Sequence, residues 1–343
     1  MRRAALTSVL ALAFGAAAPA AAEPTLVLSA YGISQDAFKK ILYEPFEAQC
    51  GCELVVEIGN SAERLAKLEA RKDNPNVDVV VFADFNALEA ARKDLIQPLD
   101  PSKLSNLDKL YDVARDPVGD NMAVGYTLYS TSIVYRTDKI TDMGSWKDLW
   151  RPELENRVAF PNITTTQGPL ALYMAERAWT EGQPSQGLET AIAKVAEIKD
   201  DVVTFYERSS QIVQLFQQEE IWAAPMGRFA WGNIMKLQMP LGWLLPAEGQ
   251  TGGLNVASIV KGTEQADLAH QLIDMWLSTE VQTALAEALV DSPVNREVEL
   301  SGSVAQLMTF GPEQVESLRL VPPEQLLENR EAWLETWNAK VAQ

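Results

Sequence analysis

The chain carries one histidine, His270, two cysteines, Cys50 and Cys52, and 47 acidic residues against 29 basic ones. That inventory settles much of the chemistry. A zinc-hydrolase motif of the H-E-x-x-H kind needs two histidines on one helix face, and only one exists. G-x-S-x-G does not occur, so there is no nucleophile elbow. Neither G-x-x-x-x-G-K-[ST] nor G-x-G-x-x-G occurs, which removes the usual phosphate and dinucleotide cradles. Cys50-Gly51-Cys52 has no further metal ligand beside it. The two thiols either bridge in a small ring that Gly51 helps to relax, or stay as buried thiols at a helix-to-strand turn. His270 stands four residues before Asp274 in a helical stretch and reads as an exposed helix histidine. A carboxylate pair for glycoside hydrolysis is available in number, but no spacing singles one out. No catalytic residue, cofactor or metal site follows from these residues.

The elements that would hold such side chains are plainer. A length of 343 residues is a prior for two domains or one large one. Hydrophobic residues at 47 % and charged residues at 22 % are ordinary for a globular chain. A formal net charge of −18 argues against nucleic acid and against anionic membrane surfaces, which need a positive footprint. At the N-terminus, Arg2 and Arg3 precede an apolar run from Ala4 to Gly15, and Ala20-Ala21-Ala22 fits a small-x-small cleavage site. Residues 1–22 are therefore expected to be a signal peptide, with the mature chain starting at Glu23.

Thr25 to Leu28, Leu54 to Ile58 and Val77 to Phe82 read as strands, separated by helical patterns through Phe38, Ile41, Leu42 and Phe46 and then from Ala62 to Lys72. Pro45 is expected to kink the first helix, and Ser61 to cap the second. The alternation predicts a parallel α/β sheet. Ile133 to Tyr135 and Arg157 to Phe160 repeat the strand theme. Helices are expected at Leu170–Thr180, Leu188–Lys199, Ser210–Glu219, Glu264–Leu277 and Thr279–Val290, and at the C-terminus around Trp333 and Trp337. A Gly-rich turn, Gly249 to Gly253, precedes the strand Leu254 to Ile259. No repeat or long linker interrupts this, so the chain is expected to cross more than once between two lobes.

The most distinctive string is Ser145-Trp146-Lys147-Asp148-Leu149-Trp150-Arg151-Pro152. Ser145 and Asp148 have capping-box spacing, and Trp146, Leu149 and Trp150 share a helix face, so it reads as a structural anchor. Preceded by Thr131-Ser132-Ile133-Val134-Tyr135-Arg136, it resembles the periplasmic solute-binding proteins of spermidine/putrescine-type ABC importers. Ala30-Tyr31, Asp78 to Phe85, Leu99 to Leu104, Val124-Gly125-Tyr126, Met275 to Val281 and Ser292-Pro293-Val294-Asn295 extend the resemblance over nearly all of the mature chain. It implies an α/β, two-lobe periplasmic-binding-protein clamshell of type II with hinge strands. Residues 23–131 plus 254–300 would form lobe one, and 132–253 plus 301–343 lobe two.

The resemblance also implies a function: a periplasmic monomer that captures a small polar solute by lobe closure and delivers it to an inner-membrane ABC permease, with no chemistry and no cofactor. Polyamine binders of this family use cleft carboxylates and aromatic rings. Here the loop Pro161-Asn162-Ile163-Thr164-Thr165-Thr166-Gln167 has no acid, Met226 stands where the family tends to have Trp, and Gly253 and Asn255 stand where polyamine binders show Trp and Asp. Asp84 remains as a cleft acid. Arg208, before Ser209, and Arg228, after Gly227, take cleft positions instead and suit a carboxylate or phosphonate. The expected ligand set is Tyr31, Asp84, Phe85, Asn162, Thr164, Thr165, Arg208, Ser209, Gly227, Arg228 and Asn255. A polyamine receptor and, as a different class, a secreted carboxylate-pair hydrolase are the alternatives. A ferric-ion receptor of the same fold usually pairs two tyrosines, and no Tyr-Tyr pair occurs.

Overall fold

A computed structural model describes residues 23–342. The expected leader, residues 1–22, lies outside the described residues. Ten strands form one sheet: β1 (Thr25–Ala30), β2 (Glu53–Ile58), β3 (Val79–Ala83), β4 (Ile96–Gln97), β5 (Val124–Arg136), β6 (Val158–Pro161), β7 (Val202–Tyr206), β8 (Ala223–Gly227), β9 (Leu241–Trp243) and β10 (Thr251–Val260). The main order is β2-β1-β3-β10-β5-β8-β6-β7, with β4 on β10 and β9 on β5. β1 runs parallel to β2 and β3, and β6 runs parallel to β7 and β8. The two parallel groups are joined by the long antiparallel pair β5 and β10. Every residue of β3 is buried, as its unbroken apolar run Val79-Val80-Val81-Phe82-Ala83 requires of a strand covered on both faces.

The hydrophobic core divides within the joining strands. Leu128 of β5 and Leu254 of β10 pack with the β1–β3 side, whereas the very next residue of β5, Tyr129, packs with the β6–β8 side. The 13-residue β5 thus passes from one apolar body to the other, with the 10-residue β10 paired antiparallel along it from Thr251 to Ala257. Such crossings are where a two-lobe protein can bend. The C-terminal helix Pro323–Lys340 buries Leu326, Trp333 and Trp337 in the second body. Its Glu328 pairs at 3.3 Å with Arg92 on the first-body helix Asp84–Arg92. Among the described residues, no helix is long and apolar enough to cross a membrane.

Several local expectations change. The helix after β2 starts one residue early: Asn60, not Ser61, is its N-cap, in a reciprocal capping box with Glu63. Ser61 is consequently inside the first turn, and its hydroxyl is spent elsewhere. Gly252 and Gly253 belong to β10 rather than to a turn, because the backbone of β5 lies too close for side chains there; a Cβ on Gly252 would fall 2.1 Å from Tyr129 O. His270 is not exposed but 4 % accessible, with Nε2 accepting from Asp100 N at 2.8 Å and Nδ1 facing Ala266 O at 2.7 Å. Of the two readings of Cys50 and Cys52, the structure has the disulfide, with Gly51 between them at φ 62°. Pro45 sits in the first turn of Glu44–Cys50, directly after a π-helical turn at Lys39–Tyr43. The Ser145 string forms a 3₁₀ helix at Trp146–Trp150 with the expected capping box, and Trp146 is fully buried.

Candidate functional site

Two adjoining cavities open between the bodies. The inner one, about 180 Å³, is walled by Tyr31, Phe38 and Tyr126 from the first body and by Tyr129, Tyr206 and Phe229 from the second. Tyr31 leaves the end of β1, Tyr126 and Tyr129 lie on β5, and Tyr206 ends β7, so the strand ends deliver the rings. Thr165, Ser209, Asn255 and two acids, Glu207 and Asp291, also line it. The outer one, about 450 Å³, is lined by Ser61, Phe85, Thr164, Thr165, Arg208 and Arg330, with Glu63 and Glu207 at its edge. Thr165, Thr166 and Glu207 line both, so the outer cavity, the vestibule, adjoins the inner one.

Asp291 is the unusual residue of the inner cavity. Its Oδ2 is shut off from solvent and has no hydrogen-bond partner. Burial pushes its carboxyl up to about 7, with the Thr127 hydroxyl opposing. A buried carboxylate oxygen without a partner costs on the order of 1–3 kcal/mol or more, so such atoms mark places where something else is meant to bind. Burial holds the Tyr126 and Tyr129 hydroxyls well above the ordinary phenol range, so both remain neutral and add no further negative charge beside it.

The vestibule carries both signs, with Glu63 and Glu207 lining it beside two arginines. The guanidiniums of Arg208 and Arg330 reach it without an ion-pair partner among the described residues. Arg208 precedes the helix Ser209–Gln217, whose start is set by Gln211 Oε1 accepting from Arg208 N at 2.9 Å. Asn162 organises the loop opposite: its Oδ1 accepts from Thr164 N at 3.0 Å and from the Thr164 hydroxyl at 2.8 Å. Thr165 Oγ1 donates to Asn162 O at 2.7 Å and accepts from Gly168 N at 3.0 Å. These threonines are therefore fixed in place before any solute arrives.

The expected ligand residues do not all meet. Tyr31, Thr165, Ser209 and Asn255 line the inner cavity, and Phe85, Thr164, Thr165 and Arg208 the vestibule. Asn162 stands behind its loop. Asp84 lies beneath the walls, 7 % exposed, with Oδ1 accepting from Phe85 N at 2.8 Å. Burial raises its carboxyl to about 6. Gly227 and Arg228 line neither cavity. A Cβ on Gly227 would lie 2.2 Å from the Phe229 ring, so glycine there makes room for that ring. The Arg228 side chain turns away from the cleft: Nε donates to Leu307 O at 2.8 Å, Nη2 donates to Gln306 O, and Cζ sits 4.5 Å from the Trp243 ring centroid. Burial lowers its pKa to about 10. The carbonyls of the returning segment take its guanidinium, so it ties that segment to β8; Arg228 and Asp291 also line a small further cavity that shares Tyr129, Phe229 and Asn255 with the inner one.

The sequence reading missed Tyr126, Tyr129, Tyr206, Phe229, Arg330 and Asp291. A usable signal existed for one: Asp291 stands immediately before the Ser292-Pro293-Val294-Asn295 turn. The tyrosines alternate with core residues on strands and carry no separate mark, and Arg330 looks like any helix arginine.

The family model for bacterial extracellular solute-binding proteins matches residues 42–311. The chain belongs to that family. Among its relatives, spermidine/putrescine-binding periplasmic protein 1 of Haemophilus influenzae is 24 % identical over 72 % of this chain and 70 % of that protein. The gamma-aminobutyric acid-binding protein of Pseudomonas aeruginosa is 25 % identical over 98 % of this chain and 96 % of that protein. A crystal structure of an ABC transporter from Clostridium perfringens superposes with a TM-score of 0.78, 34 % identity, and 92 % and 99 % coverage of the two chains. The architecture of this extracellular solute-binding protein is thus the two-lobe clamshell of the periplasmic binding proteins, and the cavities lie in its cleft.

Proposed function

We propose that this solute-binding protein captures a small zwitterion, an ammonium and a carboxylate joined by a short apolar chain, and hands it to an ABC permease of the inner membrane. The carrying observation is the solvent-shut, unpartnered Oδ2 of Asp291 in an otherwise aromatic cavity. An ammonium is the group that such an oxygen lacks, and π faces around it add cation–π attraction. The chain then runs past Tyr129 and Phe229, which pack edge to face, toward the vestibule, where the carboxylate meets Arg208 and Arg330 with Thr164 and Thr165 beside them. A diamine's second ammonium would meet Arg208 and Arg330 there as well as Glu63 and Glu207, whereas a carboxylate has two guanidiniums to pair with.

Lobe one (23–131 plus 254–300) supplies Tyr31, Asn255 and Asp291 in this reading, and lobe two (132–253 plus 301–343) supplies Thr165, Arg208 and Arg330. Solute contacts both sides only when they approach, so binding favours closure. The protein acts in the periplasm as a monomer after its leader is removed, and it catalyses nothing. The test is thermal denaturation of residues 23–343 with γ-aminobutyrate, putrescine, butyrate and butylamine. A true ligand at a hundred times its dissociation constant stabilises the native state by ~2.7 kcal/mol. Stabilisation by γ-aminobutyrate above the other three is expected; stabilisation by putrescine alone points to a polyamine receptor.

A further inference from the structure

Beneath the cleft wall of lobe one lies a second buried charge, one that the cavities do not reach. Arg64, on the helix Ser61–Ala70, is 1 % exposed and has no carboxylate partner among the described residues. Its Nη1 donates to Gly59 O, its Nη2 to Ser61 Oγ at 3.3 Å, and its Nε has no partner. Its Cζ lies 3.9 Å from the centroid of the Tyr31 ring. One face of Tyr31 is therefore occupied by a guanidinium, and the same residue lines the inner cavity.

The same arginine begins a chain of hydrogen bonds. Ser61 Oγ also accepts from Ala83 N at 3.2 Å and lies 2.7 Å from Tyr31 Oη, which donates to Asn255 Oδ1 at 3.3 Å. Tyr31 and Asn255 are thus held from the N-terminal turn of one helix. This accounts for Ser61 not serving as the N-cap.

A cation over one face of a ring draws π density toward itself. A second cation over the other face would sit about 8 Å from the first with only the ring between them, and would lose most of the usual cation–π gain. Apolar chains and carboxylates suffer no such penalty. We infer that Arg64 is a positioning and specificity-determining residue: it fixes Tyr31 and turns the cavity face of that ring against cations, so that a solute's ammonium is directed to Asp291 and its apolar chain to Tyr31. This rests on the zwitterion reading of the cleft and adds to it the orientation of the solute and the exclusion of diamines.

The experiment is calorimetry with γ-aminobutyrate and putrescine on wild type, Arg64→Met, Arg64→Lys, Tyr31→Leu and the Tyr31→Leu/Arg64→Met double variant, each shown to melt cooperatively. Arg64→Gln stands in should Arg64→Met not fold. The measured quantity is the ratio of the two dissociation constants, which a general loss of stability does not move. Arg64→Met should shift that ratio toward putrescine by about three- to thirtyfold, the span of one cation–π contact. Arg64→Lys keeps the charge and should stay within about twofold of wild type. In the Tyr31→Leu background, Arg64→Met should have no further effect. A ratio unmoved in Arg64→Met, or moved equally without the Tyr31 ring, overturns the inference while leaving the zwitterion reading intact. Wild type preferring putrescine, with the shift still present, overturns the zwitterion reading alone. No binding of either probe by any variant at millimolar concentration overturns both.

Discussion

Replacing Asp291 by Asn should make the solute-free protein more stable at alkaline pH while removing its affinity for amines. The carboxyl of Asp291 titrates at about 7 in the folded chain against an ordinary value of 3.8. A folded-state value above the unfolded one means that the native state prefers the neutral form. The associated stability is complete below about pH 4 and is lost as pH rises through 7. Roughly three units at ~1.4 kcal/mol each set an upper bound of ~4 kcal/mol. Partial exposure of the rest of the residue reduces this to about 2–4 kcal/mol. The asparagine variant has no such titration, so the measurement is the difference between the two melting temperatures as pH rises from 4 to 8. A constant cost of the amide cancels in that difference. With an unfolding entropy of ~2.1 cal/mol/K per residue, the gap should widen by about 3–6 °C in favour of the variant. Calorimetry on the same proteins with γ-aminobutyrate should show wild-type affinity falling below pH 7, by at most ~tenfold per unit, and no binding by the variant. A gap that stays flat with pH, or equal affinity in the two proteins, would refute the placement of an ionised Asp291 opposite a ligand ammonium.

Other consequences follow from the same geometry. Arg208→Ala and Arg330→Ala should each weaken γ-aminobutyrate by about 10- to 100-fold while leaving butylamine unchanged, because only the former carries a carboxylate to lose; isothermal titration decides it. Arg228→Met should act on stability instead, lowering the melting temperature by freeing the Gln306 and Leu307 carbonyls, with affinity within about threefold of wild type. The Cys50→Ser/Cys52→Ser double variant should bind as wild type even if it melts lower, since the disulfide joins the end of the helix Glu44–Cys50 to β2, away from both cavities. Small-angle scattering should show a smaller radius of gyration with saturating solute; superimposable curves would count against closure about β5 and β10.

Which parts were readable beforehand follows from what local patterns encode. The strand-helix alternation of the first ninety residues and the Trp146 anchor were legible because apolar periodicity and caps are short-range. The Asn60 cap was lost to Ser61 for a tertiary reason: the Ser61 hydroxyl is claimed by Tyr31, Ala83 and Arg64, whose proximity no local window shows. His270 was misread because its exposure depends on the loop at Asp100, 170 residues away in the chain. Arg228 illustrates the same limit at the site. Its loop position was read from pattern, but the direction of its side chain is set by carbonyls at residues 306 and 307. The resemblance pointed to loops of which several line the two cavities, and it could not say which side chains turn into them.

The buried charges around the cleft form a system rather than four separate anomalies. Asp84, Asp291, Arg64 and Arg228 are each mostly buried as charged groups, and none is in an ion pair among the described residues. Three of them have polar or ring partners: Asp84 the Phe85 amide, Arg64 a carbonyl, a hydroxyl and a ring, with only its Nε unpartnered, and Arg228 two carbonyls and an indole. Those three hold the walls in place whether or not solute is present. Asp291 alone keeps an oxygen with nothing to bind. Because desolvation has already been imposed on that carboxylate by the fold, an arriving ammonium meets a charge stripped of water and oriented, and the pairing contributes more than it would on an exposed surface. The same desolvation destabilises the empty site, so the affinity for solute and the marginal stability of the empty cleft have one cause.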